Sequence, residues 1–532
     1  MIFHAIIFVT GAAVLSLELL ASRVMTPYFG VSLYIWAGIL SITLIALAVG
    51  YRLGGAVAAR ATTRGASDRL RKLFLLMPAI ASLAIVCMCA TYPLLFPALA
   101  AGHLVLGAFA ACVLMLFVPL VATSAMNPFL IAVELERRRS TGGDGGAGNV
   151  FFVSTVGSVA GVFVTAFGLI PHLSNFVSLL IVAVVLALLP LLALTSRDMP
   201  RPAMRPVAVS GAVALVVAGG FLASADAFLG RFWPARYAGA EWHIEARDSS
   251  LFGTVKVLRS EAPDGSVSRY YFQDGLVQNR VDAEHRSLSF YTYALEALGI
   301  GYRPEAKRAL VLGLGAGMVP MRLAARGIET EAVDIDPVAF RVAARHFGFD
   351  PTRVKATEVD ARTFLRDCSR PWDLIVVDLF HGDGMPDYLV TRDFFRDLRN
   401  CLGRDGIAVF NTFVDLGMPR PYAHFLATLR AELPWLRLYL PPDNDNHLNS
   451  FVVASAAPLP DPRFDDQRWV HPAHSADLRL MLRAPRALDR SLLDGGTVVT
   501  DASNPVAFDI ARMQMEYRRT VVETLPAAFL IN

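Results

Sequence analysis

The chain has 532 residues, 54% of them hydrophobic and 18% charged, with a formal net charge of +3 and a mean hydropathy of +0.46. Water-soluble domains carry about 25% charged residues, so this composition excludes a wholly soluble protein and puts part of the chain in lipid. The small, dispersed positive charge gives no footprint for a nucleic-acid partner, and Cys87, Cys89, Cys112, Cys368 and Cys401 have neither metal-ligand spacing nor the pattern of a disulfide framework.

From residue 1 to about 229 the sequence is a series of long apolar runs separated by short polar ones. A spanning helix needs about 20 apolar residues, and about seven such runs are centred near residues 12, 43, 84, 118, 161, 184 and 217. The first lacks a basic leader and a small-residue cleavage site, so it reads as a retained helix. Basic residues gather after the second run (Arg60, Arg64, Arg69, Arg71, Lys72), the fourth (Arg137, Arg138, Arg139) and the sixth (Arg197, Arg201, Arg205). The positive-inside rule therefore puts those loops and Met1 on the cytoplasmic side. Seven spans would then leave the C-terminal half outside, and a count different by one would reverse that, so the side stays open. Asn127-Pro128 predicts a kink in the fourth helix, and Gly157 and Gly161 form a small-residue face suited to close helix packing.

Beyond residue 230 the pattern changes. Segments 241–246, 253–259 and 268–272 are β-branched and aromatic, with a turn at Pro263-Asp264-Gly265, and predict a small antiparallel element over 230–284 leading into Asp274-Gly275 and Gln278. A helix over 285–298 follows. Residues 309–312 then form an apolar strand, 313–317 a glycine-rich turn, and a helical pattern leads to a second strand ending at Asp334. A helix from Pro337 to about 347 follows, then strands over 354–359 and 372–378, a helix over 393–402, a strand over 406–413 and a helix over 421–433. Residues 436–440 and 450–454 suit a closing antiparallel pair. This alternation predicts a doubly wound α/β domain over 285–457 with ligands at the carboxyl ends of its strands. The tail over 458–532 is rich in Pro, Asp and Arg, carries one helical pattern near 505–525, and reads as peripheral.

The turn Gly313, Gly315, Gly317 lets the backbone bend sharply and exposes a helix N-terminus to a polar or negative group. Asp334, about 20 residues on, sits where a carboxylate can accept both ribose hydroxyls. Asp360 and Asp378 end the next two parallel strands, so the three acids should line one crevice. In that order Asp334 suits a ribose, Asp360, with Ala361 beside it, the amino group of an adenine, and Asp378 the reacting group. The bland alternative, that each acid caps the following helix, also fits a strand end.

The motifs Asp274-Gly275 with Gln278, Gly313 to Gly317, Asp334-Ile335-Asp336, Asp360-Ala361 and Val377-Asp378 resemble, in order and spacing, those of the spermidine synthase (polyamine aminopropyltransferase) family. With Glu18 to Arg23 and Pro27 to Gly30 ahead of them, the chain is most similar to the membrane-embedded branch of that family. The resemblance implies an α-helical multi-pass membrane domain followed by an α/β Rossmann-like domain of the class I methyltransferase type. It implies no tightly bound cofactor and no metal. Decarboxylated S-adenosylmethionine (or S-adenosylmethionine) serves as co-substrate and a diamine such as putrescine as acceptor. Asp378 would be the base, because the attacking amine must be neutral. Gln278 would contact the nucleoside, and Asp383 and Asp387, with Glu284 further off, would hold the amine. The chain departs from the soluble synthases at Ala316, where they carry an acid in the turn, at His381, where they carry a second Asp, and at Ser287 and Ser289, near their Tyr-x-acid pair.

Three readings follow. The first is a membrane-bound aminopropyltransferase of polyamine biosynthesis. The second is a methyltransferase using intact S-adenosylmethionine, and the third a non-catalytic nucleoside- or polyamine-binding transporter or sensor. The expected partners are a small-molecule amine and the lipid bilayer, with no nucleic acid; a homodimer stays open.

Overall fold

The computed structural model describes residues 2–531 except 32, 61–65, 139–144, 196–200, 235, 381–384, 416, 443–446, 465–467, 487 and 489. The chain divides into two units: residues 1–234 together with 518–532, and residues 235–517.

The first unit is helical. Seven of its helices are long and apolar enough to cross a membrane: Ile2–Phe29, Leu33–Arg60, Asp68–Ala101, Val105–Leu135, Gly146–Leu169, Asn175–Leu192 and Met204–Ala223. Their outward faces carry Leu44, Phe152 and Val216, 67%, 66% and 73% exposed. The fourth passes through a π-helical turn at Val113–Phe117 and breaks at Ala125, in the turn ahead of Pro128, where the proline cannot donate to the carbonyl four residues back, as the Asn127-Pro128 pair predicts. The Gly157 and Gly161 face packs on the first helix as its spacing predicts. A Cβ at Gly157 would lie 2.0 Å from the carbonyl oxygen of Phe8, and one at Gly161 2.2 Å from that of Ala12. The approach brings Ser158 Oγ to 2.9 Å from the Gly11 carbonyl, to which it donates.

The second unit opens with an antiparallel meander, β1 (Glu241–Ser250), β2 (Gly253–Glu261), β3 (Val267–Gln273) and β4 (Leu276–Asp282), one strand more than the sequence pattern predicts. Asp274 (φ 47°) and Gly275 (φ 89°) form the two-residue hairpin turn between β3 and β4. The helix after it begins at Phe290 rather than 285, because His285 has positive φ and Ser287 is still bridged to Val281 of β4.

The main sheet holds β5 (Arg308–Leu312), β6 (Glu329–Asp334), β7 (Lys355–Glu358), β8 (Trp372–Val377), β9 (Leu402–Asp415), β10 (Trp435–Tyr439) and β11 (His447–Ser455). Their order is β10-β11-β9-β8-β5-β6-β7; β5 to β9 run parallel, and β11 is antiparallel to both neighbours. This is the doubly wound sheet predicted. The chain order reverses beside β5, so the crevice falls between the ends of β5 and β8. Leu374, Ile375, Val376 and Val377 of β8 are wholly buried, as a strand covered on both faces requires.

The tail is not peripheral. Leu478, Met481 and Leu482, from helix Pro472–Arg483, pack into the core on one face of the sheet, and Leu492, Val499 and Val506 into the core on the other. Arg518 is wholly buried and donates to the carbonyl of Pro27 at 3.2 Å within the first unit. Short apolar stretches broken by prolines give the sequence no periodic signal for this packing.

Gly157→Leu should push the first and fifth spans apart at a cost of about 1–3 kcal/mol. Gly148→Leu, whose Cβ would meet nothing within 4 Å, should be near neutral. Thermal unfolding of the detergent-solubilised full chain checks the contrast.

Candidate active site

One cavity of about 530 Å³ opens at the carboxyl ends of the parallel strands. It gathers Gln278, Gly313, Gly315, Asp334, Asp360, Ala361 and Asp378, so the three strand-end acids share one pocket. Gly317 is not among its lining residues. It starts helix Met318–Ala325 in the left-handed conformation, where a Cβ would strike Phe349 at 2.7 Å. Asp387 is also off the lining, in a short 3₁₀ turn where its backbone carbonyl accepts from Asn504 Nδ2. Asp383 lies outside the described residues.

The glycine turn is set by contact. Gly313 has φ +92°, and a Cβ there would lie 2.1 Å from the carbonyl oxygen of Asp378. Any larger residue would force β5 and β8 apart at the cavity. Gly315, also at positive φ, faces open space in the cavity. Asp334 fastens this turn: Oδ2 accepts the N–H of Leu314 at 2.8 Å and Oδ1 that of Asp336 at 2.9 Å. Burial raises its carboxyl above the usual range, and these backbone donors counter the shift.

Asp360 caps helix Ala361–Arg366 through the N–H of Thr363 (3.0 Å), so the capping alternative holds for it in part. Its other oxygen accepts from Tyr388 Oη at 2.9 Å, across the cavity rim. Asp336, likewise on the lining, caps helix Pro337–His346, and burial pushes its carboxyl up to about 6.

Asp378 differs from the other three. Its Oδ1 accepts from Asn411 Nδ2 at 2.8 Å, and Asn411 Oδ1 in turn accepts from Asn449 Nδ2 at 3.1 Å. The relay fixes which edge of each amide faces which neighbour. Burial, opposed by the Asn411 bond and reinforced by the charge on Asp334, pushes the carboxyl up to about 6. Tyr291, whose hydroxyl accepts from Asn279 at 2.9 Å, lines the same cavity; burial and the charge on Asp378 raise its phenol. A desolvated carboxylate near 6, held in one orientation and open on one side, is suited to accept a proton.

Sequence reasoning missed Tyr388, Asn411 and Asn449. Asn411 had a signal, a lone amide near the carboxyl end of an apolar strand, the place where the acids were sought. Asn449 stands on the antiparallel strand, where the strand-end rule gives no guidance.

The fold is an α/β domain of the class I methyltransferase type, with its cavity at the carboxyl ends of the parallel strands. Residues 288–414 match the family model described as the spermine/spermidine synthase domain. The polyamine aminopropyltransferase of Vibrio vulnificus is 31% identical over 156 residues, covering 28% of this chain and 51% of that protein. The N-terminal histidine N-methyltransferase of Emericella nidulans is 31% identical over 202 residues, covering 34% of this chain and 36% of that protein. The chain thus spans about half, or less, of the length of these two relatives. A solved spermidine synthase from Thermotoga maritima is 18% identical with a TM-score of 0.37, covering 47% of this chain and 87% of that one. The α/β unit is spermidine synthase-like.

Asp334→Asn would set an amide N–H₂ against a backbone N–H and leave a buried donor unsatisfied. It should cost about 1–3 kcal/mol and loosen the glycine turn, read as a lower midpoint in denaturant unfolding of the full chain.

Proposed function

We propose that this protein is a multi-pass membrane protein whose α/β unit transfers an aminopropyl group from decarboxylated S-adenosylmethionine to an amine. One observation carries the reading: the described cavity lining offers Asp334, Asp336, Asp360 and Asp378 and, among the described residues, no Lys, Arg or His. A decarboxylated donor presents a sulfonium and an ammonium, to which such a lining is complementary. An intact donor would bring its own carboxylate into the same acidic space. The relatives named polyamine aminopropyltransferases support the same donor. The seven apolar helices and their outward Leu, Phe and Val side chains support membrane insertion.

In this reading Asp334 takes the ribose hydroxyls on the lone pairs its backbone donors leave free. Asp360 accepts the adenine amino group and Gln278 contacts the nucleoside. Gly315 and Ala361 let the nucleoside approach the backbone closely. The neutral amine attacks the methylene beside the sulfonium, the C–S bond breaks with its electron pair going to sulfur, and methylthioadenosine leaves. Asp378 accepts the proton the amine must lose.

Methyl transfer is the second reading, favoured by the 31% identity to the N-terminal histidine N-methyltransferase. Incubating the detergent-solubilised full chain with each donor and a panel of amines separates the two. Methylthioadenosine from the decarboxylated donor supports aminopropyl transfer; S-adenosylhomocysteine from the intact donor, without methylthioadenosine from the other, overturns it.

Asp378→Asn should lower kcat by roughly 10²–10⁴-fold, the usual worth of a general base, while leaving the methylthioadenosine Kd unchanged by calorimetry. Only the deprotonated Asp378 accepts a proton. Since its carboxyl titrates at about 6, kcat/KM should be flat above that pH and fall about tenfold per pH unit below it. A profile with no acid limb between pH 5 and 7 would remove Asp378 from this role.

A further inference from the structure

We infer that residues 497–504 of the tail form a strap that sets the adenine end of the cavity, with Asp501 and Asn504 as positioning residues that act on Asp360 through Arg362 and Tyr388. The inference rests on the reading in which Asp360 accepts the amino group of an adenine. Asp360 Oδ1 is held by Thr363, through the backbone N–H at 3.0 Å and the hydroxyl at 3.3 Å, and Oδ2 accepts from Tyr388 Oη at 2.9 Å. A carboxylate oxygen accepts more than one hydrogen bond, so Tyr388 takes one lone pair of Oδ2 and leaves another for a base. Where that lone pair points depends on where Tyr388 stands. Tyr388 lies on the cavity lining with Pro386 and Leu389, in a rim segment whose regular structure over 385–391 is one 3₁₀ turn, Asp387–Leu389. So short a turn has too few internal hydrogen bonds to hold its own place.

The tail supplies the hold from outside. The strap is moored on helix Arg420–Glu432, where the N–H of Thr497 donates to His424 Nδ1 at 3.0 Å and that of Val499 to Thr428 Oγ1 at 2.9 Å. It then meets the start of helix Arg392–Cys401. The N–H of Arg392 donates to the Val499 carbonyl at 2.8 Å, and that of Asp501 to Asp393 Oδ2 at 3.1 Å. Thr500 and Ser503 close a tight turn by exchanging backbone bonds at 3.1 Å. From this turn Asn504 Nδ2 donates to the carbonyl of Asp387 at 2.9 Å, and the Asp501 carboxylate pairs with the Arg362 guanidinium. Arg362 Nη1 donates in turn to the carbonyl of Tyr388 at 3.3 Å. One guanidinium thus ties together the strap, the rim and the helix that Asp360 caps. The polar contacts of the strap converge on the backbone of the residue whose hydroxyl meets Asp360.

Methylthioadenosine and methylthioinosine differ at the purine 6-position, an amino group against a carbonyl, and calorimetry of the detergent-solubilised full chain with each of them probes this end. A carboxylate accepts from the amino group and repels the carbonyl, so the unaltered protein should bind methylthioadenosine at least about tenfold more tightly. Asp501→Ala and Asn504→Ala should each weaken methylthioadenosine about tenfold, the worth of one hydrogen bond, and leave methylthioinosine within about twofold. Asp501→Glu should restore the preference. Circular dichroism checks folding, and Asn504→Ala, which removes a single bond to a carbonyl, carries the test if Asp501→Ala does not fold. Variants that weaken both nucleosides alike, or neither, overturn the inference and leave Asp360 in its role. An unaltered protein that binds both nucleosides equally overturns the role of Asp360, and this inference with it; no binding of methylthioadenosine overturns the nucleoside reading as a whole.

Discussion

The contact between Gly313 and the backbone of Asp378 is the constraint on which the site depends. Two parallel strands can bring their carboxyl ends this close only where one turns away with no Cβ, at a φ of +92° and with 2.1 Å to the facing oxygen from where a side chain would begin. The N–H of Asp378 closes the same junction by donating to the carbonyl of Leu312 at 2.8 Å. The turn that would cradle a nucleoside and the carboxylate that would accept a proton are thus parts of one backbone joint. A change in either strand's tilt moves both.

Much of this was legible because the α/β unit obeys two periods at once. Strands β5, β6 and β8 announce themselves as apolar runs ended by a glycine or an acid, and the placement of Asp334, Asp360 and Asp378 in one pocket follows from the geometry of parallel strands alone. What stayed hidden was set by contacts distant in sequence. Tyr388 reaches Asp360 across 28 residues and Asn449 reaches Asn411 across 38, on segments with no fixed relation to the strand-end rule. The misjudged tail has the same cause. Leu478 and Val499 reach opposite faces of the sheet from a stretch whose composition reads as surface. The Gly317 assignment failed differently: the glycine pattern is real, but its third member is there for Phe349 and not for the cavity.

The seven helices were legible for a simpler reason, since length and apolar composition are both read directly from the chain. The interior of that unit follows finer rules. Small residues at Gly11, Gly157 and Gly161 place backbone against backbone, and serine hydroxyls fill the seam by donating to carbonyls of the facing helix. Close van der Waals contact between the backbones and these hydrogen bonds hold the seam together.

The four acids of the cavity show how a fold assigns different work to identical groups. Asp334 and Asp360 accept backbone N–H donors, the first through both oxygens, and a carboxylate held that way orients the chain around it. Asp378 is answered by an amide side chain on one oxygen, itself oriented by a second amide, and burial pushes its carboxyl up to about 6. That is the condition for a base: charged at neutral pH, yet near enough to its protonated form to take and release a proton.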